Sequence, residues 1–347
     1  PMQRLASAVL LLALAGPAAA EVYCVSTAAQ FVNAVFAARA STGPSEIKMV
    51  AGTYDLPSTG VFDQANLTIT DQTGLSIIGG YAAGCAGGVP ASPPSATIIR
   101  PAAFDQRLMD IVIVDGDTTV SIQQVSFRRG RSPTVNPACL WVDIQPGVVG
   151  RVELINTEFT DCMGPGPGCA VRVEMDDMRL NMSNSIVHGN TCNGGAVLLV
   201  PGPNAVLYAT NNTIARNVHS GAPGAAGLQI GHFSGPISSI YLINNVIYHN
   251  GDPDDFDVRF NTNVPGFARN NIIGRQNAFP AAMVISNNSA VDPQFTSTTN
   301  FRPTANSPLV NAGFASAPLG LPLKDLDSNP RPQGGVYDIG AYELPQE

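Results

Sequence analysis

The stretch LINNVIYHN, Leu242 to Asn250, sets two asparagines, a short apolar run and a turn in a row, and its neighbours repeat the pattern. TNNTIARN ends at Asn217, MSNSIVHGN at Asn190 and ARNNIIG at Gly274. Matching asparagines fall at Asn156, Asn184, Asn212, Asn245 and Asn271, with steps of 28, 28, 33 and 26. A second series lies between them: CLWVDI from Cys139, AVRVEM from Ala170, AVLLV from Ala196, GLQIG from Gly227, FDVRF from Phe256 and AMVIS from Ala282. Its first inward apolar residues, Leu140, Val171, Val197, Leu228, Phe256 and Ala282, step by 31, 26, 31, 28 and 26. Two interleaved series with one period make an internal repeat. A propeller blade needs ~40–45 residues, and a leucine-rich repeat shows regular leucines and a helical half. What fits is a coil of short strands stacked in parallel on the coil before: an all-β, right-handed parallel β-helix.

Stacking explains the asparagines. One turn position recurs every ~4.8 Å along the axis. Asparagine there tolerates a left-handed backbone and can bond its amide to the asparagine above and below. Such a ladder satisfies polar groups inside the turn. Asn204 falls outside it.

Composition agrees. The chain has 347 residues, 44% hydrophobic and 13% charged, with 34 glycines and 28 prolines, which is enough apolar material for a large core. Short β-branched runs alternate with Gly, Pro, Asn and Ser clusters. A formal net charge of −8 with no basic block argues against nucleic acid as a partner.

Residues 1–20 read as a signal peptide: Arg4, an apolar run from Ala8 to Ala15, a Gly16-Pro17 break, then Ala18-Ala19-Ala20 before Glu21. The run is too short to span a bilayer, and no second one approaches that length. An exported mature chain, extracellular, periplasmic or on the cell surface, is the expectation. Export makes disulfides of the six cysteines, and none forms a C-x-x-C pair. Spacing suggests Cys139 with Cys169 and Cys162 with Cys192, equivalent positions one coil apart, leaving Cys24 with Cys85. A local Cys162–Cys169 bridge competes. Six cysteines allow 15 connectivities.

Upstream, LSIIGGY near Ile77, ATIIRP near Ile98, MDIVIVDG near Ile111 and VSIQQVSF near Ile122 continue the strands. In STAAQFVNAVFAARA, Phe31, Val35 and Phe36 have helical spacing. Residues 28–40 are expected to form a helix capping an otherwise open end. The organisation is then 1–20 signal peptide, 21–50 N-terminal cap, 51–290 parallel β-helix and 291–347 C-terminal segment and cap.

That last segment carries a resemblance. DLDSNPRPQGGVYDIGAYE (Asp325 to Glu343), with VDPQF (Val291 to Phe295) and NSPLVNAG (Asn306 to Gly313), resembles the C-terminal signature of the bacterial choice-of-anchor Q domain proteins. CVSTAAQF and IGGYAAGC resemble exported β-helix proteins carrying this signature. The resemblance implies a pectate-lyase-like right-handed β-helix sent to the surface or medium, with a structural role for DLDSN and with Arg331 and Asp338 paired to fasten the cap. Asn311 stands where the family often has an acidic residue. Members often continue into an anchor, whereas four residues follow Glu343 here, so a soluble, monomeric secreted protein is expected.

Function has to be sought on the strand faces. With Leu140, Val142, Val171, Val173, Val197, Leu199, Leu228, Ile230, Phe256 and Val258 inward, two outward columns form. One is Trp141, Arg172, Leu198, Gln229 and Asp257; the other is Asp143, Glu174, Val200, Gly231 and Arg259. Trp141 is the sole tryptophan. An indole beside carboxylates and arginines suits a sugar. Trp141, Asp143, Arg172, Glu174, Gln229, Asp257 and Arg259 are therefore candidate contacts for a polysaccharide or cell-surface glycan, with Arg172 able to fork onto a carboxylate. No cofactor and no metal are implied. The rival reading is a polysaccharide lyase, in which Asp143 and Glu174 hold Ca²⁺ and Arg172 is the base. A glycosidase could draw on Asp176-Asp177 or Asp254-Asp255, but GHF at Gly231 is not the Gly-His-Gly of polygalacturonases. A structural or adhesive surface protein is the third class. His188, His219, His232 and His249 are scattered, and DLDSN lacks the glycine and distal glutamate of an EF-hand.

Overall fold

The computed structural model describes residues 20–345 apart from 42, 58–66, 70–73, 104–106, 115–116, 134–137, 176 and 232–238. Residues 1–19 of the expected signal peptide, Asp176 and His232 lie outside the described residues.

Among the described residues every strand pairs in parallel with its equivalent in a neighbouring coil, so the strands stack as three long sheets and one short three-stranded sheet around one core. The first sheet has ten strands, from Glu21–Val25 through Gly150–Ile155, Met178–Ser183, Val206–Thr210, Ser239–Ile243 and Gly266–Arg269 to Met283–Ser286. The second has seven and includes Leu140–Ile144, Val171–Met175, Val197–Pro201, Ala225–Ile230 and Phe256–Phe260. The third has eight and includes Ser126–Arg128, Glu158–Thr160, Ile186–His188, Thr213–Ala215 and Val246–Tyr248. The chain is a parallel β-helix, as the repeat requires.

Alternation along each strand fills the interior. Leu140, Val142, Val171, Val173, Val197, Leu199, Leu228, Ile230 and Val258 are buried, each fully sheltered aliphatic contributing roughly 1.5–3 kcal/mol. Phe127 and Phe159 stack on adjacent rungs, centroids 5.0 Å apart. At the N-terminal end the helix Ala28–Ala40 forms as expected. The Thr27 side chain caps it by accepting from Gln30 N, and Phe31, Val32, Ala34, Val35 and Ala38 are buried. Phe36 faces outward instead.

The second series shifts by two residues near its end. Leu228 pairs with Val258, not Phe256, and Gln229 with Arg259, because a bulge lies between Ala225 and Leu228. Gly227 permits it: a Cβ there would sit 2.4 Å from the Asp257 carbonyl oxygen. AMVIS belongs to the first sheet, where Met283–Ser286 pairs with Gly266–Arg269.

The asparagines form two adjacent columns rather than one. Asn156, Asn184, Asn211, Asn244, Asn270 and Asn287 are left-handed, with φ between 51° and 57°. One residue later, Asn212, Asn245, Asn271 and Asn288 form the inward ladder, each Nδ2 bonding the next Oδ1 at 2.8–3.0 Å. Asn156 and Asn184 therefore belong to the first column. A further ladder, Asn190–Asn217–Asn250, runs along the turn between the third and second sheets at 2.7–2.8 Å.

The left-handed column is a docking rail. Asn211 Nδ2 donates to Asp338 O (3.0 Å), Asn244 exchanges bonds with Phe314 N and O (2.7 and 2.9 Å), and Asn270 Nδ2 donates to Ala312 O (2.8 Å). The C-terminal segment thus caps the coil from its side. Phe301, Leu309, Leu326, Ile339 and Ala341 cover the outer face of the third sheet at Ile186, Ala215, Val246 and Ile272. Upstream, where the same outward column reads Ser126 and Glu158, the face is polar. Arg331 pairs with the Glu343 carboxylate, not that of Asp338. From Asp338 it takes only the backbone oxygen, while the Asp338 carboxylate accepts Asn311 N and Leu344 N.

Three disulfides form, Cys24–Cys85, Cys139–Cys162 and Cys169–Cys192. The first is the pair left over once the spacing argument places the other four cysteines. The pairs Cys139–Cys169 and Cys162–Cys192 do not form, and neither does Cys162–Cys169. Cys139 and Cys169 do lie on adjacent rungs, with Cys139 N donating to Cys169 O at 3.0 Å. Their side chains, however, face the end of their own coil. Each of these two bridges closes one coil on itself over 23 residues.

Candidate functional site

On the second sheet the expected register puts Trp141 outside, between buried Leu140 and Val142. Its column reads Asp110, Trp141, Arg172, Leu198, Gln229 and Arg259. The indole is half-buried under the Arg107 guanidinium, 5.8 Å from the ring, and its Nε1 has no partner among the described residues. Arg172 is spent on its neighbour: it forms an ion pair with Glu174, with Nε–Oε1 at 2.6 Å. Asp143 accepts from Gln145 Nε2 at 2.8 Å and Gln229 Oε1 accepts from Gly195 N at 3.3 Å. Leu198 is buried, dividing the column.

Asp257 is not on this face. The bulge turns it inward, where Oδ1 accepts from Asn250 N and Nδ2 and Oδ2 from Arg275 N, all at 2.8 Å, ending the Asn190–Asn250 ladder. Burial pushes its carboxyl up, against those hydrogen bonds. Arg259 takes the place expected of Asp257, exposed next to Gln229.

A calcium ion held by Asp143 and Glu174 does not fit, because the Glu174 carboxylate is already bound by Arg172. Among the described residues no group of three His, Cys, Asp or Glu is arranged to hold a metal. His188 bonds Glu158 (3.2 Å) and His219 bonds Asp255 (2.8 Å), both as structural partners, and His249 sits in a left-handed turn.

The first sheet carries a constellation that the sequence reading passed over. Its outward column runs Ser121, Glu153, Asn181, Tyr208, Tyr241, Phe267 and Val284. Tyr208 and Tyr241 stack at 4.9 Å with planes 8° apart, and Tyr241 and Phe267 at 5.6 Å. Rings offset at strand spacing give solvent their edges and the uncovered parts of their faces, here with two phenol hydroxyls along the strip. Burial pushes the Tyr208 phenol up, so it stays a neutral donor and acceptor.

The C-terminal segment makes a wall beside this strip. A cleft of about 290 Å³ lies between Tyr241, Ile243, Phe267 and Arg269 on the sheet and Phe314–Pro318 on the segment. At its base the Arg269 guanidinium lies 4.7 Å from the Phe314 ring and 5.7 Å from Phe267, while its Nε donates to Ser286 Oγ. A signal for the strip does exist in the sequence. Tyr208, Tyr241 and Phe267 each stand four residues before a ladder asparagine, Asn212, Asn245 and Asn271.

No family model and no curated protein matches the chain. Among solved structures, one described as the crystal structure of pectate lyase Pel9A aligns with 94% of this chain and 97% of its own, at 15% identity and a TM-score of 0.35. The fold assignment here rests on the strand pairing itself.

Proposed function

We propose that this protein is an exported β-helix that binds a polysaccharide or cell-surface glycan, with the aromatic strip of the first sheet as its anchor. The supporting observation is the cleft between Tyr241–Phe267 and Phe314–Pro318. Carbohydrate sites combine aromatic surface with a few placed polar groups, and this cleft joins three rings to an arginine fork. Export is supported by the three disulfides and by the sequence of the N-terminal segment. Residues 291–343 are read as a choice-of-anchor Q-like segment, here serving as a side wall.

Trp141 offers a second reading, because its half-buried indole lies on the outer face of the second sheet, although its Nε1 is itself buried. A lyase on that face is disfavoured: the base it needs, Arg172, is held as a charged ion pair by Glu174. The test is affinity electrophoresis in gels containing soluble polysaccharides. Retardation of the wild-type chain, lost in Phe267→Ala, supports the anchor. Equal retardation of both removes it.

A further inference from the structure

We infer that the binding track extends beyond the aromatic cleft into a polar cleft on the same sheet, and that its ligand is a neutral, extended polysaccharide laid across the rungs. This rests on the glycan reading above and narrows it to a substrate class.

The polar cleft, about 530 Å³, is lined by Asp117, Thr119, Arg151, Asp177, Arg179 and Asn204, among others. Arg151 and Arg179 are directly paired across adjacent strands. Like charges in that position repel, yet neither guanidinium forms an ion pair with a described residue. Carboxylates of Asp117 and Asp177 face the same space, and Asn204 Nδ2 bonds Asp177 Oδ1. Guanidinium donors and carboxylate acceptors therefore line one cleft together without pairing to each other. A sugar hydroxyl both donates and accepts, so a neutral polyol can bridge Arg and Asp together. A carboxylate-rich chain would meet Asp117, Asp177 and the nearby Glu153. It would also approach a protein of formal net charge −8.

A row of side chains on the same sheet links the two clefts. The Arg179 guanidinium lies 5.9 Å from the Tyr208 ring, and Tyr208 stacks on Tyr241 at the edge of the aromatic cleft. From the rung of Thr118–Gln123 to that of Gly266–Arg269 is five strand spacings, roughly 24 Å. A disaccharide cannot cover that distance, whereas an extended polymer touches both ends.

The experiment measures retention of the full chain in gels containing mixed-linkage β-glucan, xyloglucan or galactomannan, and separately polygalacturonate or alginate, at ~0.05 M and ~0.5 M salt, which screens exposed charges. Arg179→Gln and Asp117→Asn are run beside the wild type, with melting temperatures confirming that both fold. The expected result is retention by a neutral polymer, unchanged by salt. Each variant should weaken it about fivefold, one hydrogen bond's worth. Retention by the acidic polymers alone, falling with salt, overturns the neutral class and leaves the glycan reading standing. Neutral retention unaltered in both variants overturns the polar cleft. Retention by none of the polymers overturns this inference and the glycan reading together.

Discussion

Arg331 and Glu343 form an ion pair at 3.0 Å with both side chains sealed from solvent, 0% and 1% exposed. The same guanidinium reaches Asn184 Oδ1 (3.2 Å) on the left-handed column and Gly340 O (2.9 Å). One residue thus ties the C-terminal segment both to itself and to the coil. Removing one partner of a buried pair strands the other, at a cost of ~3–5 kcal/mol. Arg331→Ala is expected to lower the unfolding free energy by about that amount in urea titration. A loss below ~1 kcal/mol, the range of surface pairs, would contradict the buried clasp.

Acid should loosen the neighbouring polar face. Burial works to raise the Glu158 carboxyl, but hydrogen bonds from His188 and Ser126 and the Arg128 guanidinium outweigh it and hold it at about 2. A folded-state value below the unfolded one contributes stability that is fully present above about pH 4.5 and is lost as pH falls towards 2. The contribution is on the order of 3 kcal/mol. Urea midpoints between those limits should fall, and Glu158→Gln should flatten that acid limb. An identical acid limb in Glu158→Gln refutes the assignment.

The inward asparagine ladder should be worth more than its neighbours on exposed turns. Asn245 bonds Asn271 Oδ1 and Ala209 O through Nδ2, and its own Oδ1 accepts from Asn212 N and Nδ2. Asn245→Ala leaves several buried groups unmatched, each costing ~1–3 kcal/mol. Asn204→Ala on an exposed turn removes one bond to Asp177 and puts alanine at a positive φ, a cost of roughly 1–2 kcal/mol. Comparable melting temperatures for the two variants would argue against the ladder.

Peptide mapping without reductant should recover Cys139 linked to Cys162 and Cys169 linked to Cys192. Each closes a 23-residue separation, so each contributes about 3 kcal/mol in the chain-entropy account. A Cys139–Cys169 peptide would contradict the coil-closing arrangement.

The repeat made the coil legible because stacking forces one chemistry onto each rung, and Asn245 and Leu140 announce their places by period alone. Column identity was harder. Asn211 and Asn212 stand side by side, so a period near 28 cannot say which one turns inward; the left-handed backbone of Asn211 decides it. The bulge at Gly227 is invisible to a count of steps, and with it Asp257 leaves the outer face for the buried end of the Asn190–Asn250 ladder. Cys139 matched Cys169 in rung, but sequence spacing does not show where a side chain points. The aromatic strip was written four residues before Asn212, Asn245 and Asn271. Its significance depends on Phe314–Pro318 folding back along the coil, a long-range contact that no local pattern encodes.

The claim that the first sheet, and not the Trp141 face, holds the glycan is tested most directly by comparing Tyr241→Ala with Trp141→Ala in the same polysaccharide gels, after matched thermal melts show that both are folded. The account predicts that Tyr241→Ala loses retardation, by about tenfold or more as for an aromatic anchor, while Trp141→Ala keeps it. Retardation that survives in Tyr241→Ala and vanishes in Trp141→Ala would contradict it and move the site to the second sheet.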